Sequence, residues 1–253
     1  MISNCGHDEQ GRYKNGMAGD QTGGEYIIRS WYTRPWKCVL RYPEEQVGAC
    51  IGSIATYAAN NACIGYDQNE RLSYYNALRN ANWHPENIRV RVETDCSAST
   101  AANIIAAGNQ LGIAGLKRID PSLTTYNMRA ALVSAGFQCL TDSMYLTSDK
   151  YLMPGDIILN DTCHVAINVT YGPLYKKEGT TTNVKTVNYA AIVKVSDFLN
   201  VRQAASQSAA KVQINGHDFC LPNGLVVAVC AESDGWCRLA GTSYWVSKTY
   251  LKR

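Results

Sequence analysis

Residues 171–186 read YGPLYKKEGTTTNVKT, and the chain follows different rules on either side of them. Gly, Lys and a Thr run without an apolar period mark a linker. Before this stretch, apolar residues recur first at helical and then at strand spacing. From about Tyr189 onward, the β-prone segments AAIVKV, LNVR, LVVAVCAE, WCRLAG and SYWVSKTYL are separated by turn residues at Asn223-Gly224, Asp234-Gly235 and Gly241-Thr242. Short strands with regular turns predict a small all-β barrel. The 253 residues have room for two ordinary domains. The pattern therefore predicts a first domain over 1–171, a linker over 172–188 and a second domain over 189–253.

The first domain reads as α+β, helices before strands. Residues 16–24 are a Gly-rich loop and Glu25 to Trp36 is one β-prone stretch. Val47, Ile51, Ile54, Ala55 and Ala58 repeat at helical spacing between Glu44 and Asn61. Asp67 with Glu70 three residues on fits a capping box, which predicts a helix to about Ala81. A third helix starts near Ser97, and a fourth runs from about Tyr126 to Ala135 with Gly136 as its C-terminal cap. Strands follow at Phe137–Leu140, at Ile157–Leu159 after the Pro154-Gly155-Asp156 turn, and at His164–Val169.

Bulk properties narrow the function classes. A net charge of +3 is too small to argue for nucleic acid, though it tolerates a polyanionic partner such as a cell wall. No run of about 18 apolar residues exists, so no membrane span is predicted. The polar start MISNCGHDEQGRYKNG has no apolar core segment, so it does not read as a secretory signal; a protein acting from the cytoplasm, or leaving it on lysis, is expected. The ten cysteines contain no C-x-x-C pair. Most read as small buried apolar residues. His7, His84, His164 and His217 form no His-Glu-x-x-His or i, i+4 pair, so no metal or other cofactor is predicted.

Two segments carry chemistry. In Glu93-Thr94-Asp95-Cys96-Ser97-Ala98-Ser99-Thr100, an extended charged stretch runs into an alanine-rich helix. Cys96 thus falls at a helix N-terminus, where unpaired N–H groups and the macrodipole favour a thiolate, the nucleophilic form. A lowered thiol pKa is expected there. His164 opens the strand HVAINV after a Pro-Gly-Asp turn. An imidazole facing a helix-start cysteine can take the thiol proton and return it to a leaving amine. A third group to orient His164 is not evident. Asn168, four residues along the same strand, is about 13 Å away, and Asp20, Gln21 and Glu25 are candidates without a choice among them.

TDCSAST followed by MPGDIILNDTCHVAINV resembles the NlpC-type, papain-like peptidoglycan peptidases and amidases, and GMAGDQTGGEYIIRSWYTRPW looks like phage and prophage lysins of that clan. The resemblance covers roughly residues 1–170. It implies a papain-like cysteine hydrolase domain, helices packed on an antiparallel sheet, that cuts an amide of the bacterial wall. Cys96 would be its nucleophile and His164 its base, with Asp95 and Ser97 recognising the stem peptide and Tyr66 a weaker substrate-side candidate. VSDFLNVRQAAS with VVAVCAESDGWCRLAGTSYWVSKTYLKR resembles bacterial Src-homology-3-like domains. That resemblance implies an SH3-like barrel that binds the wall, with Trp236, Tyr244 and Trp245 as binding or barrel-core aromatics. The partner is then peptidoglycan, and a monomer is expected.

Overall fold

The computed structural model describes residues 1–175, 185–207, 209–214 and 216–253. The chain divides into two compact units, Met1–Tyr175 and Lys176–Arg253. The expected linker at 172–188 lies mostly outside the described residues, and its last four residues belong to a strand.

In order, the first unit contains β1 (Ile2–Cys5), β2 (Tyr26–Arg29), β3 (Cys38–Arg41), α1 (Glu45–Ala59), β4 (Ile64–Tyr66), α2 (Ser73–Asn80) and β5 (Val92–Thr94). It continues with α3 (Cys96–Leu111), α4 (Ala114–Lys117), α5 (Thr125–Ser134), β6 (Gln138–Leu140), α6 (Ser143–Leu146), β7 (Ile157–Asn160) and β8 (His164–Asn168). Six strands form one sheet in the order β2-β1-β8-β7-β3-β6, with every pairing antiparallel. A separate parallel pair joins β4 to β5.

The apolar run Ile157-Ile158-Leu159 has a structural reason: both faces of the sheet are covered. Cys5, Cys38, Leu40, Ile157, Leu159, Val165 and Ile167 pack against the helices. Ile2, Val39, Ile158 and Ala166 face the other way, onto Trp36 and Leu152. Successive strand side chains alternate faces, so a strand covered on both sides reads as continuously apolar. Helix α3 runs through the middle of the unit, with Ala98, Ala101, Ala102, Ala106 and Ala107 all buried. Small side chains let neighbours approach closely; a methyl added to Gly108 would sit 2.6 Å from Leu116 Cβ.

The structure departs from the sequence reading in three places. The stretch 25–36 is not one strand: β2 stops at Arg29, and Trp36 N–H turns back to the Arg34 carbonyl at 2.6 Å. Arg29 pairs with Ile2, the first residue of β1, so the ladder ends where its partner strand runs out. Helix α2 begins at Ser73 rather than Asp67, because the Asp67 carboxylate closes a local turn on Asn69 N–H at 2.6 Å and also holds Gly16 N–H. Strands β1 and β3 carry no expectation at all, and they flank the central pair β8 and β7 of the sheet.

The second unit comprises β9 (Lys185–Val193), β10 (Phe198–Asn200), β11 (Gln213–Ile214), β12 (His217–Asp218), β13 (Cys220–Pro222), β14 (Val226–Ser233), β15 (Trp236–Leu239), β16 (Trp245–Ser247) and β17 (Leu251–Lys252). Five of these strands form an antiparallel sheet in the order β16-β15-β14-β9-β17. It curls into a half-barrel around Val193, Leu199, Val201, Leu221, Val229, Cys237 and Val246. Along β14, Val227, Val229, Ala231 and Ser233 alternate inward, the period-2 signature of a half-buried strand. The whole chain is thus a mixed α/β protein with a curled β half-barrel at its C-terminus.

Candidate functional site

Helix α3 begins at Cys96, directly after the Asp95 N-cap. Asp95 Oδ1 accepts from Ser97 N–H at 2.9 Å, Ala98 N–H at 2.7 Å and Ser97 Oγ at 2.8 Å. Its Oδ2 accepts from Arg71 Nε at 2.5 Å. These four bonds occupy the carboxylate's acceptor positions. Arg71 is engaged at all three nitrogens: it also donates to Ser97 Oγ at 3.1 Å and to the Ser122 and Leu123 carbonyls. Asp95 and Ser97 therefore fix the helix start beside Cys96 and point their polar atoms at each other and at Arg71.

Cys96 is buried, with 8% of its surface exposed. Burial, followed by the neighbouring Asp95 carboxylate, pushes its thiol pKa up to about 12, although the Val165 and Ser97 amides and Arg71 pull the other way. The lowered pKa expected from the helix start is not what this environment gives. A thiolate gains from amides and dipole only part of what it loses by leaving water.

His164 opens β8 and is 6% exposed. Its Nε2 lies 2.9 Å from Asn4 Oδ1 on β1, the antiparallel neighbour of β8. The same Asn4 Oδ1 accepts from the Tyr32 hydroxyl at 3.2 Å, and the Trp36 ring sits 6.1 Å from the imidazole. An oxygen at Nε2 places the proton there and leaves the Nδ1 lone pair as the base. Burial, then Arg34 and Arg29, pushes the His164 pKa down to about 4. The next residue, Val165, turns to the helix side of the sheet, where its backbone amide reaches the Cys96 thiol. Thiol and imidazole are thus brought to the same end of β8, and no hydrogen bond joins them in this structure.

Tyr66, 2% exposed at the end of β4, accepts from Gln68 Nε2 at 3.0 Å. Burial raises its phenol pKa, and the Cys96 charge adds to this, so the ring is a buried neighbour of the Cys96 thiol. Of the groups considered for orienting His164, Glu25 is spent on the Tyr66 and Gln21 amides, and Asp20 on the amides of residues 22–26. The Gln21 side chain turns to carbonyls of its own loop and to Arg91. Asn168 donates to the Met153 and Thr170 carbonyls. Asn4 takes the orienting position instead. Sequence reasoning missed it, and the one available signal was the short β-compatible run Ile2-Ser3-Asn4-Cys5. Among the described residues, no group of three or more His, Cys, Asp or Glu side chains is placed to hold a metal ion.

A family profile described as an endolysin-like domain matches residues 2–175. The chain belongs to the endolysin-like domain family. The match spans the unit that carries Asn4, Cys96 and His164, and this family points to a cell-wall lytic function. No curated protein and no solved structure matches the chain.

Beyond this endolysin-like domain, the half-barrel has a cleft of about 810 Å³. Its lining includes Lys194, Asp197, Phe198, Arg202, Trp236 and Tyr250. Tyr244 packs against the barrel core. Trp245 exchanges backbone hydrogen bonds with Arg202.

Proposed function

We propose that the protein hydrolyses an amide bond of peptidoglycan by a thiol mechanism of the NlpC, papain-like type. The observation that carries this reading is the Asn4–His164 hydrogen bond at 2.9 Å, at the start of the strand whose next amide reaches Cys96.

With the thiol pKa up near 12 and the imidazole pKa down near 4, both groups rest uncharged at neutral pH. Proton transfer therefore accompanies attack. As Cys96 Sγ bonds to the substrate carbonyl carbon, its proton moves to His164 Nδ1, and Asn4 steadies the imidazolium through Nε2. Asp95 caps the Ser97 and Ala98 amides, which leaves the Cys96 N–H at the helix start as a donor for the developing oxyanion. The imidazolium then gives its proton to the leaving amine, and water, deprotonated by the same imidazole, hydrolyses the thioester. Tyr66 walls the nucleophile, and Asp95 and Ser97 act through the helix start.

The C-terminal half-barrel is read as an SH3-like, wall-binding unit, with Trp236 in its cleft as the binding aromatic. Tyr244 and Trp245 belong to its framework. A protein of this kind acts as a monomer, from the cytoplasm of a lysing host.

The test is digestion of purified walls followed by mass spectrometry of the released fragments. New amine termini that appear with native protein and not with Cys96→Ala support the reading. Release of reducing sugar ends instead would replace it with a glycosidase.

A further inference from the structure

Next to His164 stand two cations that the fold leaves without a counterion. Arg29 ends β2, and its guanidinium lies over the Tyr32 ring, 4.7 Å from the centroid. Tyr32 in turn donates to Asn4, the partner of His164. Arg34 lies 3.5 Å from the sulfur of Cys163, the residue immediately before His164, and also bonds the Tyr32 hydroxyl. Among the described residues, neither guanidinium meets a carboxylate. The third cation of the site, Arg71, is by contrast paired with the Asp95 carboxylate and also bonded to Ser97 and two carbonyls.

The loop that presents Arg34 is anchored through its own carbonyl and the residues that follow it. Trp36 N–H donates to the Arg34 carbonyl, Asn160 Nδ2 to the Pro35 carbonyl at 2.7 Å, and Lys37 N–H to the Leu159 carbonyl at 2.8 Å. An anion arriving at this edge of the site meets both the half-buried Arg34 and the exposed Arg29. Arginine forks match a carboxylate in two-point geometry.

We propose that Arg34, with Arg29 beside it, is a specificity-determining residue that receives a free carboxylate of the substrate next to the amide attacked by Cys96. The substrate class is then an acidic peptide amide rather than an amidated or neutral one. This rests on the amide-hydrolase reading above.

The test uses the full chain and two synthetic wall fragments that differ only in a carboxylate or a carboxamide on the residue beside the cleaved bond. Native protein prefers the acid in kcat/KM by about tenfold or more, the worth of one charge-assisted contact. Arg34→Gln closes that gap through KM, Arg34→Lys restores part of it, and Arg29→Gln narrows it. Loss of a positive charge beside the imidazole also moves the acid limb of the pH profile upward in Arg34→Gln. An equal loss on both fragments, or an unchanged preference, overturns the inference while native turnover stands. Native protein that cuts neither fragment removes the underlying reading, and this inference with it.

Discussion

The imidazole of His164 is buried and held at Nε2 by Asn4, and both conditions have consequences that pH exposes. Its pKa of about 4 in the folded protein lies below the ordinary value of 6.5. Between those values the unfolded chain binds a proton that the folded one refuses, so the contribution of His164 to stability, read against His164→Gln, falls as pH drops from 6.5 toward 4 and levels off below. The loss is on the order of 3 kcal/mol, read from urea midpoints at a series of pH values. For turnover, the base form persists to about pH 4, so the acid limb of kcat/KM lies well below the usual histidine range. Replacing Asn4 by Ala frees the ring to flip and to hold its proton on the wrong nitrogen. Turnover then falls about tenfold to a hundredfold or more with KM nearly unchanged, which single-turnover kinetics will show. At this scale the placement of Cys96 at a helix start and of His164 at the opening of a strand was legible, because each is announced by a motif; the cap made by Asp95, which the sequence suggested only as a substrate-side residue, was not. Asn4 was not: a polar residue in a four-residue strand becomes an orienter only when pairing with β8 is known. The state of the thiol was also hidden, since sequence marks a helix start but not how much protein lies over it.

At the level of elements, the Pro154-Gly155-Asp156 turn fixes how α1 and β7 meet. Gly155 has φ +83°, and a methyl there would sit 2.2 Å from the Gly48 carbonyl oxygen on α1. Gly155→Ala is strained by its backbone conformation and blocked by backbone at once, so a destabilisation of about 3 kcal/mol or more is expected in thermal unfolding. Asp156, with no exposed surface, is held by Arg41 through Nε at 2.8 Å and a second nitrogen at 2.6 Å. Arg41→Ala leaves that carboxylate buried and unpaired, at a cost of about 3–5 kcal/mol. Arg41→Ala with Asp156→Asn is less destabilised than the sum of the single changes, which equilibrium denaturation tests. The sequence carried the helices well, since Val47, Ile51 and Ile54 repeat at a helix period over fifteen residues. It carried β1, β3, β4 and β5 poorly. Strands of three or four residues have almost no period of their own, and their identity comes from partners far along the chain. The stretch 25–36 was over-read as one strand because its aromatic residues are β-prone whether they pair or, like Trp36, fill the far face of a sheet.

On the scale of the whole molecule, the two units have separate apolar cores, so each can be examined alone. A fragment of residues 176–253 is expected to fold and to sediment with purified walls. Trp236→Ala in the cleft should weaken that sedimentation, while Tyr244→Ala should lower the melting temperature of the fragment. A fragment that folds and stays in the supernatant contradicts the wall-binding role. The break in pattern across residues 171–186 was plain in the sequence, since it rests on composition over dozens of residues. The cleft was only half legible: Trp236 stood out, but Phe198 and Tyr250 become neighbours only once the sheet curls. In the proposed mechanism the Cys96 sulfur cuts a wall amide. The most direct measurement of this step is mass spectrometry of the intact protein quenched in acid during turnover of a wall fragment. A mass increase equal to the acyl part of the fragment is expected, mapped to Cys96 by proteolysis and absent in Cys96→Ala. Steady cleavage by Cys96→Ala, with no adduct in native protein, would contradict the mechanism.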